Sequence, residues 1–411
     1  MRRSLQLLSE YKCALGNEIA IDERFAHIFH VNLRKTGYLP RLPAWVAYMR
    51  LPSWLIKLGY LLILASWALG GFALFALYKS ARAWARCAVH SSLELRGAPL
   101  ALLFSSRAEH CIDQAGQSPH IQAWILLNGV AAAGRSERRY VHIAQLYGLR
   151  QVAHALWLAL LACVALLLDR RYARWSLQSY TAYDWFLYRI SLQTLEATHL
   201  VMAEHYDRWA TLADLLANNA SNSCTLVLVQ HGTLKGLNNA QPEPLALPYK
   251  LSAVSRLYCY NQPDCDFFLQ AVLEPAGCMR CQISFYTPTI RLVPHPRSTA
   301  HTTLVLIVGH PTCEALHTAL FERLSTEQVD VIYKVHPRSP ASPQVAKIGW
   351  FIWEDKNEFP QVDLVVSYPS TLVDEYRAMN THVITHPMRS GVKEVNEIVE
   401  LILKKACRKP L

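Results

Sequence analysis

Three short polar groups in this chain each follow an apolar run, and each holds residue types suited to group transfer. The first is His231, Gly232, Thr233 and Lys235 after the run TLVLV (225–229). An imidazole titrates near neutrality and suits a general base that takes a proton from a hydroxyl. Gly232 lets backbone approach a ligand closely. A histidine that merely caps a strand is the plainer reading of His231. The second group is Lys334, His336, Pro337 and Arg338 in KVHPR. Pro337 biases the residue before it toward an extended conformation, and the flanking cations suit phosphate, the guanidinium bidentately. The alternative is a solvated basic turn. The third is SYPSTLVDEY, 367–376, where Ser370 or Thr371 opens a helix whose first amides form an anion site. The same hydroxyls also serve as an ordinary N-cap. Glu375, one turn in, either reaches a ribose hydroxyl or simply complements the helix dipole.

The elements that must position these groups are strands and helices in alternation. Runs 303–308, 329–335, 362–367 and 382–385 read as buried strands, with a helical pattern over 311–324. Upstream, 99–106, 198–204 and 225–229 read as strands and 207–217 as a helix, with a polar loop through Arg107, Glu109 and His110. This alternation predicts an α/β protein with two Rossmann-like, doubly wound parallel sheets, which bind ligands beyond the carboxyl ends of their strands. A linker is expected near 242–248 or 288–296. His205, beside Glu204 and Asp207 at another strand end, is a further candidate on the acceptor side.

Two segments point to a membrane. Leu58 to Tyr78 contains no Asp, Glu, Lys or Arg, is bordered by Trp54 and followed by Lys79, Arg82 and Arg86, and has the length of a transmembrane helix. Gly70 and Gly71 would alternatively break it into a re-entrant hairpin. The run 151–168, ending at Asp169, is at the lower limit for spanning and equally suits a helix covering the first domain. Lys and Arg flank both runs on all sides, so charge bias selects no orientation. The segment 1–50 mixes charges and aromatics without a period and lacks the pattern of a secretory signal. The expected domains are an N-terminal segment 1–57, a membrane helix 58–78, an acceptor domain 79–296 and a nucleotide-donor domain 297–411.

The 411 residues carry a net charge of +10 spread along the chain, which suits an anionic membrane surface or a phosphorylated substrate. No nucleic-acid recognition motif accompanies it, so nucleic acid is not an expected partner. Eleven cysteines without regular spacing imply a reduced, cytosol-facing protein. Cys278 and Cys281 form a single CxxC that needs further ligands, His295, His301 or His310, to hold zinc. Asp264, Cys265 and Asp266 imitate a metal-binding DxD, but the apolar helical run after them makes Asp264 an N-cap. No metal site is expected.

The order of these motifs, a strand ending in His231 and Gly232, another in Lys334, His336 and Pro337, then Ser370 and Thr371 opening a helix, resembles GT-B fold glycosyltransferases of bacterial surface polysaccharide synthesis. Capsule sialyltransferases and polysialyltransferases, and the CDP-glycerol glycerophosphotransferases of teichoic acid synthesis, are similar. The resemblance covers 99–403 in layout and three short motifs in detail. It implies catalytic roles for His231 and His336, and donor binding by Lys334, Pro337, Arg338, Ser370, Thr371 and Glu375. Gly232, Thr233, Lys235 and His205 would then serve the acceptor. It further implies a metal-independent, cofactor-free transfer from a nucleotide-sugar, with a cytidine nucleotide favoured, to a lipid-linked or growing surface glycan. A CDP-polyol phosphotransferase and a membrane-anchored binding protein without turnover are the alternatives. A donor made in the cytosol places the expected cleft on the cytoplasmic side of a bacterial inner membrane.

Overall fold

The computed structural model describes residues 2–28, 31–40, 51–86, 92–127, 129–132, 135–219, 224–234, 245–296, 302–327, 329–336, 341–355, 358–388 and 392–406. Lys235, Pro337, Arg338 and His301 lie outside them. The chain divides into two compact units, 1–286 and 287–411. The division comes earlier than the expected 296/297 because β8 (Arg291–Val293) pairs in parallel with β12 (Glu358–Pro360) of the second unit.

In the first unit, seven strands form one parallel sheet: β1 (Pro99–Leu103), β2 (Ala123–Leu126), β3 (Tyr140–His142), β4 (His199–Met202), β5 (Thr225–Val229), β6 (Val254–Cys259) and β7 (Gln282–Phe285). Their order is 3-2-1-4-5-6-7. In the second unit, β9 (Thr303–Val308), β10 (Val329–Lys334), β11 (Phe351–Trp353), β13 (Leu364–Ser367) and β14 (His382–Thr385) are ordered 11-10-9-13-14. Each sheet begins in its middle and reverses direction of growth beside its first strand, as Rossmann sheets do. The expected α/β class with two Rossmann-like domains is what the chain adopts.

Successive strand residues alternate between two buried layers. Leu100, Leu102, Leu200, Met202, Leu226 and Leu228 join one cluster, while Ala101, Leu103, Val201, Ala203, Val227 and Val229 join another. The second sheet repeats this with Val305, Ile307 and Tyr333 on one face and Leu304, Leu306 and Ile332 on the other. Both faces are therefore covered, as parallel sheets require.

The segment 1–50, expected to lack periodicity, opens with a 27-residue helix, α1 (Arg2–Ile28). Its apolar residues Leu7, Tyr11, Ala14 and Leu15 are buried, but so are Glu10, Asn17, Glu18 and Asp22, which hide the pattern. These polar groups are paired. Arg189 donates through Nε to Glu10 at 2.9 Å, and Arg208 Nη2 stands 3.1 Å from Glu18 and 2.5 Å from Gln178 Oε1. Gln178 also donates to Asp22 at 2.6 Å. The helix thus belongs to the first unit and is not a separate N-terminal segment.

The first apolar run lies within α2 (Ser53–Trp84), which passes through a π-turn at Trp67–Gly71. Gly70 has φ of 123°, open only to glycine at low cost, and produces a kink where a re-entrant hairpin was an alternative. The loop expected at Arg107, Glu109 and His110 is instead α3 (Ser106–Gln114), where Arg138 pairs with Glu109 and Asp113, each at 2.6 Å. The second apolar run is α4 (Leu149–Leu168), with Val152, Ala155, Leu158, Ala159 and Ala162 turned into the unit. After it, a 3-10 helix (Ala173–Thr181), α5 (Ala182–Gln193) and α6 (Arg208–Asn218) complete this layer.

Removing one side of a buried ion pair strands the other charge, at a cost of about 3–5 kcal/mol. We therefore expect Arg208→Leu to lower the urea midpoint strongly, with a loss on that scale, while Arg96→Leu, whose pair with Glu196 is exposed, changes it little. Equal midpoints for the two variants would contradict a buried polar core under α1.

Candidate functional sites at the strand ends

In the first unit the polar groups collect after β4 and β5. His205 is buried, and its Nε2 accepts the backbone N–H of His231 at 2.9 Å. The two imidazoles stack with centroids 4.1 Å apart and planes 25° from parallel. Burial, aided by the neighbouring His231, holds the His205 pKa well below the usual imidazole value. His205, the further acceptor-side candidate, is thus a buried, neutral imidazole that holds the backbone of His231. Because Nε2 accepts, its proton sits on Nδ1.

His231 is the more accessible ring, and its Nε2 stands 4.0 Å from Glu204 Oε2. From the sequence, Glu204 stands out only as a neighbour of His205; its closeness to His231 in space is not legible across the helix and loops that separate the two.

The turn that carries His231 is braced from below. Gln230 is fully buried, donates to Asp264 Oδ2 at 2.7 Å and to the Gly232 carbonyl at 2.9 Å, and accepts from Tyr260 N–H at 2.9 Å. Asp264 is therefore a brace and not half of a metal-binding DxD. Nor is it the N-cap: α7 (Gln262–Phe267) is capped by Asn261, which accepts from Asp264 N–H at 3.0 Å. Thr233 adjoins this turn on the partly exposed side. The turn before α6 is fixed by Asp207, which accepts from Trp209 and Ala210 N–H at 2.9 and 3.0 Å.

In the second unit the switch point lies between β9 and β13, and there the structure brings together His310, His336, Tyr368, Ser367 and Ser370. His310 and His336 cross at 86° with centroids 5.2 Å apart, and Tyr368 lies 4.8 Å from His310. From the sequence, His310 has a role only as a zinc ligand for the CxxC. The missed signal is that β9 ends in Gly309, His310 and Pro311 much as β10 ends in His336 and Pro337. A Cβ on Gly309 would lie 2.6 Å from the Tyr333 ring and 2.7 Å from the Lys334 carbonyl, so only glycine fits where the strand turns into the site. His310 Nδ1 bonds Thr312 Oγ1 at 2.7 Å, and burial, reinforced by His336, pulls its pKa down to about 4.

Ser370 occupies the N-cap position of α9 (Thr371–Ala378) without bonding the helix amides through its side chain. Its Oγ lies 3.1 Å from Ser367 Oγ. The cap expected of Ser370 is thus a pair of hydroxyls at the end of β13, with Thr371 partly exposed beside it.

Two expected donor residues are placed elsewhere. Lys334 is buried, donates to the Asp355 carbonyl at 2.5 Å and to that of Glu358 at 3.4 Å, and lies over the Phe359 ring. Burial lowers its pKa to about 8 against the pull of Asp355. It holds the loop after β11 and does not present its ammonium to a phosphate. Glu375 is buried, not a surface carboxylate at the helix start. Cys278 and Cys281 direct their thiols to the Leu269 and Gln282 carbonyls and gather no metal-binding set among the described residues.

A histidine whose folded pKa is depressed binds fewer protons than in the unfolded chain, so it contributes stability above the unfolded value and loses it as pH falls. For His310 the window runs from about 6.5 to about 4 and is worth about 3 kcal/mol. His205 acts in the same sense. The urea midpoint is expected to fall between pH 7 and pH 4, with a shallower fall in His310→Asn. A midpoint insensitive to pH over that window would contradict a neutral, buried His310.

No protein-family model matches this chain, and no curated protein is similar to it in sequence. Among solved structures, the crystal structure of Acinetobacter baumannii MurG is similar with a TM-score of 0.34 and 9% identity, over 75% of this chain and 91% of that one. A likeness of that strength carries no argument about activity.

Proposed function

We propose that the chain is a membrane-associated glycosyltransferase of the GT-B type that moves a sugar from a nucleotide donor to a lipid-linked or growing surface glycan. The observation that carries this reading is that each of two Rossmann-like sheets gathers imidazoles and hydroxyls at the carboxyl ends of its strands, where such sheets bind ligands. In this reading His231, balanced by Glu204, takes the proton of the acceptor hydroxyl. In the second unit His336, His310 and the Ser367–Ser370 hydroxyls receive the donor's phosphate, and a cytidine nucleotide is the favoured donor. No step in this scheme calls on a metal.

Thermal-shift titration of the whole chain with CMP, CDP, UDP and GDP tests the reading. Stabilisation follows RT ln(1 + [L]/Kd), so one nucleotide at a hundredfold excess over Kd adds about 2.7 kcal/mol. His336→Ala and Ser370→Ala should abolish that shift, whereas His231→Ala keeps it and loses transfer. Absence of any nucleotide effect in the wild type sinks the proposal. Binding without transfer in the wild type favours the non-catalytic reading.

The membrane part of the proposal is an in-plane helix. Along α2, Tyr60 donates to the Arg174 carbonyl at 3.0 Å, Trp67 to Ser179 Oγ at 2.9 Å, and Lys79 to Asp184 at 2.8 Å. These tethers span about 28 Å of helix, nearly a full hydrocarbon thickness, and all lead into the 3-10 helix Ala173–Thr181 and α5. The opposite face exposes Leu58, Leu61, Leu62, Leu74 and Leu77, with Leu69 89% exposed, and α4 adds Trp157 and Leu168. Lys57, Arg82 and Arg86 stand exposed at its two ends. The inward side of the helix, with Ile56, Tyr60, Phe72 and Ala76 buried, is held by the first unit, and the exposed apolar side is the one offered to the headgroup boundary. Flotation with vesicles containing anionic lipid should fall several-fold in the triple variant Leu62→Gln, Leu69→Gln, Leu74→Gln with its far-ultraviolet circular dichroism unchanged. Undiminished flotation of that folded variant would overturn in-plane docking.

A further inference from the structure

We propose that Cys313, His317 and His386 form a binding site for a zinc-class divalent metal ion that pins the start of α8 (Glu314–Leu324) to the end of β14. The three side chains are 2%, 0% and 3% exposed, and their ligand atoms all lie within 4.8 Å of one another. They form a group apart from the strand-end residues assigned to donor binding, and the inference is independent of the transfer reading.

The local sequence builds this arrangement. Cys313 closes the 3-10 turn Pro311–Cys313 and stands at the N-cap position of α8, and His317, four positions on, shares its helical face. His386 follows β14 directly and is held in place by its backbone N–H, which donates to the Ser367 carbonyl at 3.0 Å. Its Nδ1 donates to the Pro387 carbonyl at 2.8 Å. That bond fixes the proton on Nδ1 and leaves a lone pair on Nε2, the outer-shell arrangement typical of metal-binding imidazoles.

The distance between the two imidazole nitrogens agrees with shared coordination. His317 Nε2 and His386 Nε2 are 3.2 Å apart. Two imidazole nitrogens at about 2.0–2.1 Å from one tetrahedral ion are separated by about 3.3 Å. A single His–His hydrogen bond also accounts for that distance, but not for a buried sulfur standing within 4.8 Å of the imidazole ligand atoms. The thiol is turned to the Met388 carbonyl at 3.3 Å, an oxygen placed to serve as a fourth donor. One sulfur and two imidazoles select zinc or a similar borderline ion over magnesium or calcium. Binding forms an S–metal bond and two N–metal bonds and releases the Cys313 thiol proton to solvent, so affinity rises with pH. Burial keeps that thiol protonated in the free protein, at a pKa of about 11. Because His310 and Thr312 immediately precede Cys313, a filled site would also hold the β9 end of the donor cluster.

The test uses the full chain, stripped with chelator and titrated with Co2+ as a spectroscopic probe. One equivalent should bind, with a thiolate-to-cobalt charge-transfer band and the intense visible bands of a tetrahedral site, and Zn2+ should bleach both. Cys313→Ser should remove the charge-transfer band, whereas Cys278→Ser should leave it intact. If Cys313→Ser does not fold, X-ray absorption on the zinc-loaded wild type decides instead, with one sulfur near about 2.3 Å and two imidazole nitrogens near about 2.0 Å. Failure to bind one equivalent of Co2+, a charge-transfer band that survives in folded Cys313→Ser, or a zinc shell lacking sulfur or holding two or more would each overturn the site.

Discussion

A parallel strand covered on both faces has only its ends at which to place polar chemistry. Leu226 to Val229 and Leu304 to Val308 are apolar at every position and buried on both sides, so no catalytic group fits within them. The turn after each strand inherits a rigid origin. His205, His231, His310, His336 and Tyr368 all stand within a few residues of a strand end, where the buried sheet sets the start of each turn. The polar sites of this molecule are a consequence of its apolar layers.

The same rigidity demands braces at the turns. Gln230 ties the His231 turn to Asp264, Asn261 starts the helix that holds Asp264, and Asp207 anchors the turn after His205. Lys334 does similar work in the second unit by holding the loop after β11. Such residues look like chemistry in a sequence because the same polar types are used for bracing and for catalysis. Asp264 and Lys334 are enclosed, whereas His231 and Ser370 retain access to solvent.

The strands, their parallel arrangement and the two-sheet plan were legible because β-branched runs and their spacing are local properties. Helix α1 was not, since Glu10, Glu18 and Asp22 interrupt its apolar face and are compensated by Arg189, Arg208 and Gln178, far along the chain. Among the candidate residues, the strand-end placement of His231, His336 and Ser370 was legible from the strand that precedes each. Glu204 as the neighbour of His231, and His310 as the neighbour of His336, depend on which strands lie side by side, and sequence order does not state that. The Cys313, His317 and His386 group was missed for the same reason: two members share a helix turn, but the third arrives from another strand.

The account stands on one claim, that the ends of β9, β10 and β13 receive the phosphate of a nucleotide. A crystal structure of the chain grown with CDP would test it most directly. The account predicts phosphate oxygens within hydrogen-bond distance of Ser370 and of the His336 or His310 ring, at the switch point of the second sheet. A nucleotide bound anywhere else, with those rings and hydroxyls left to water, would contradict it.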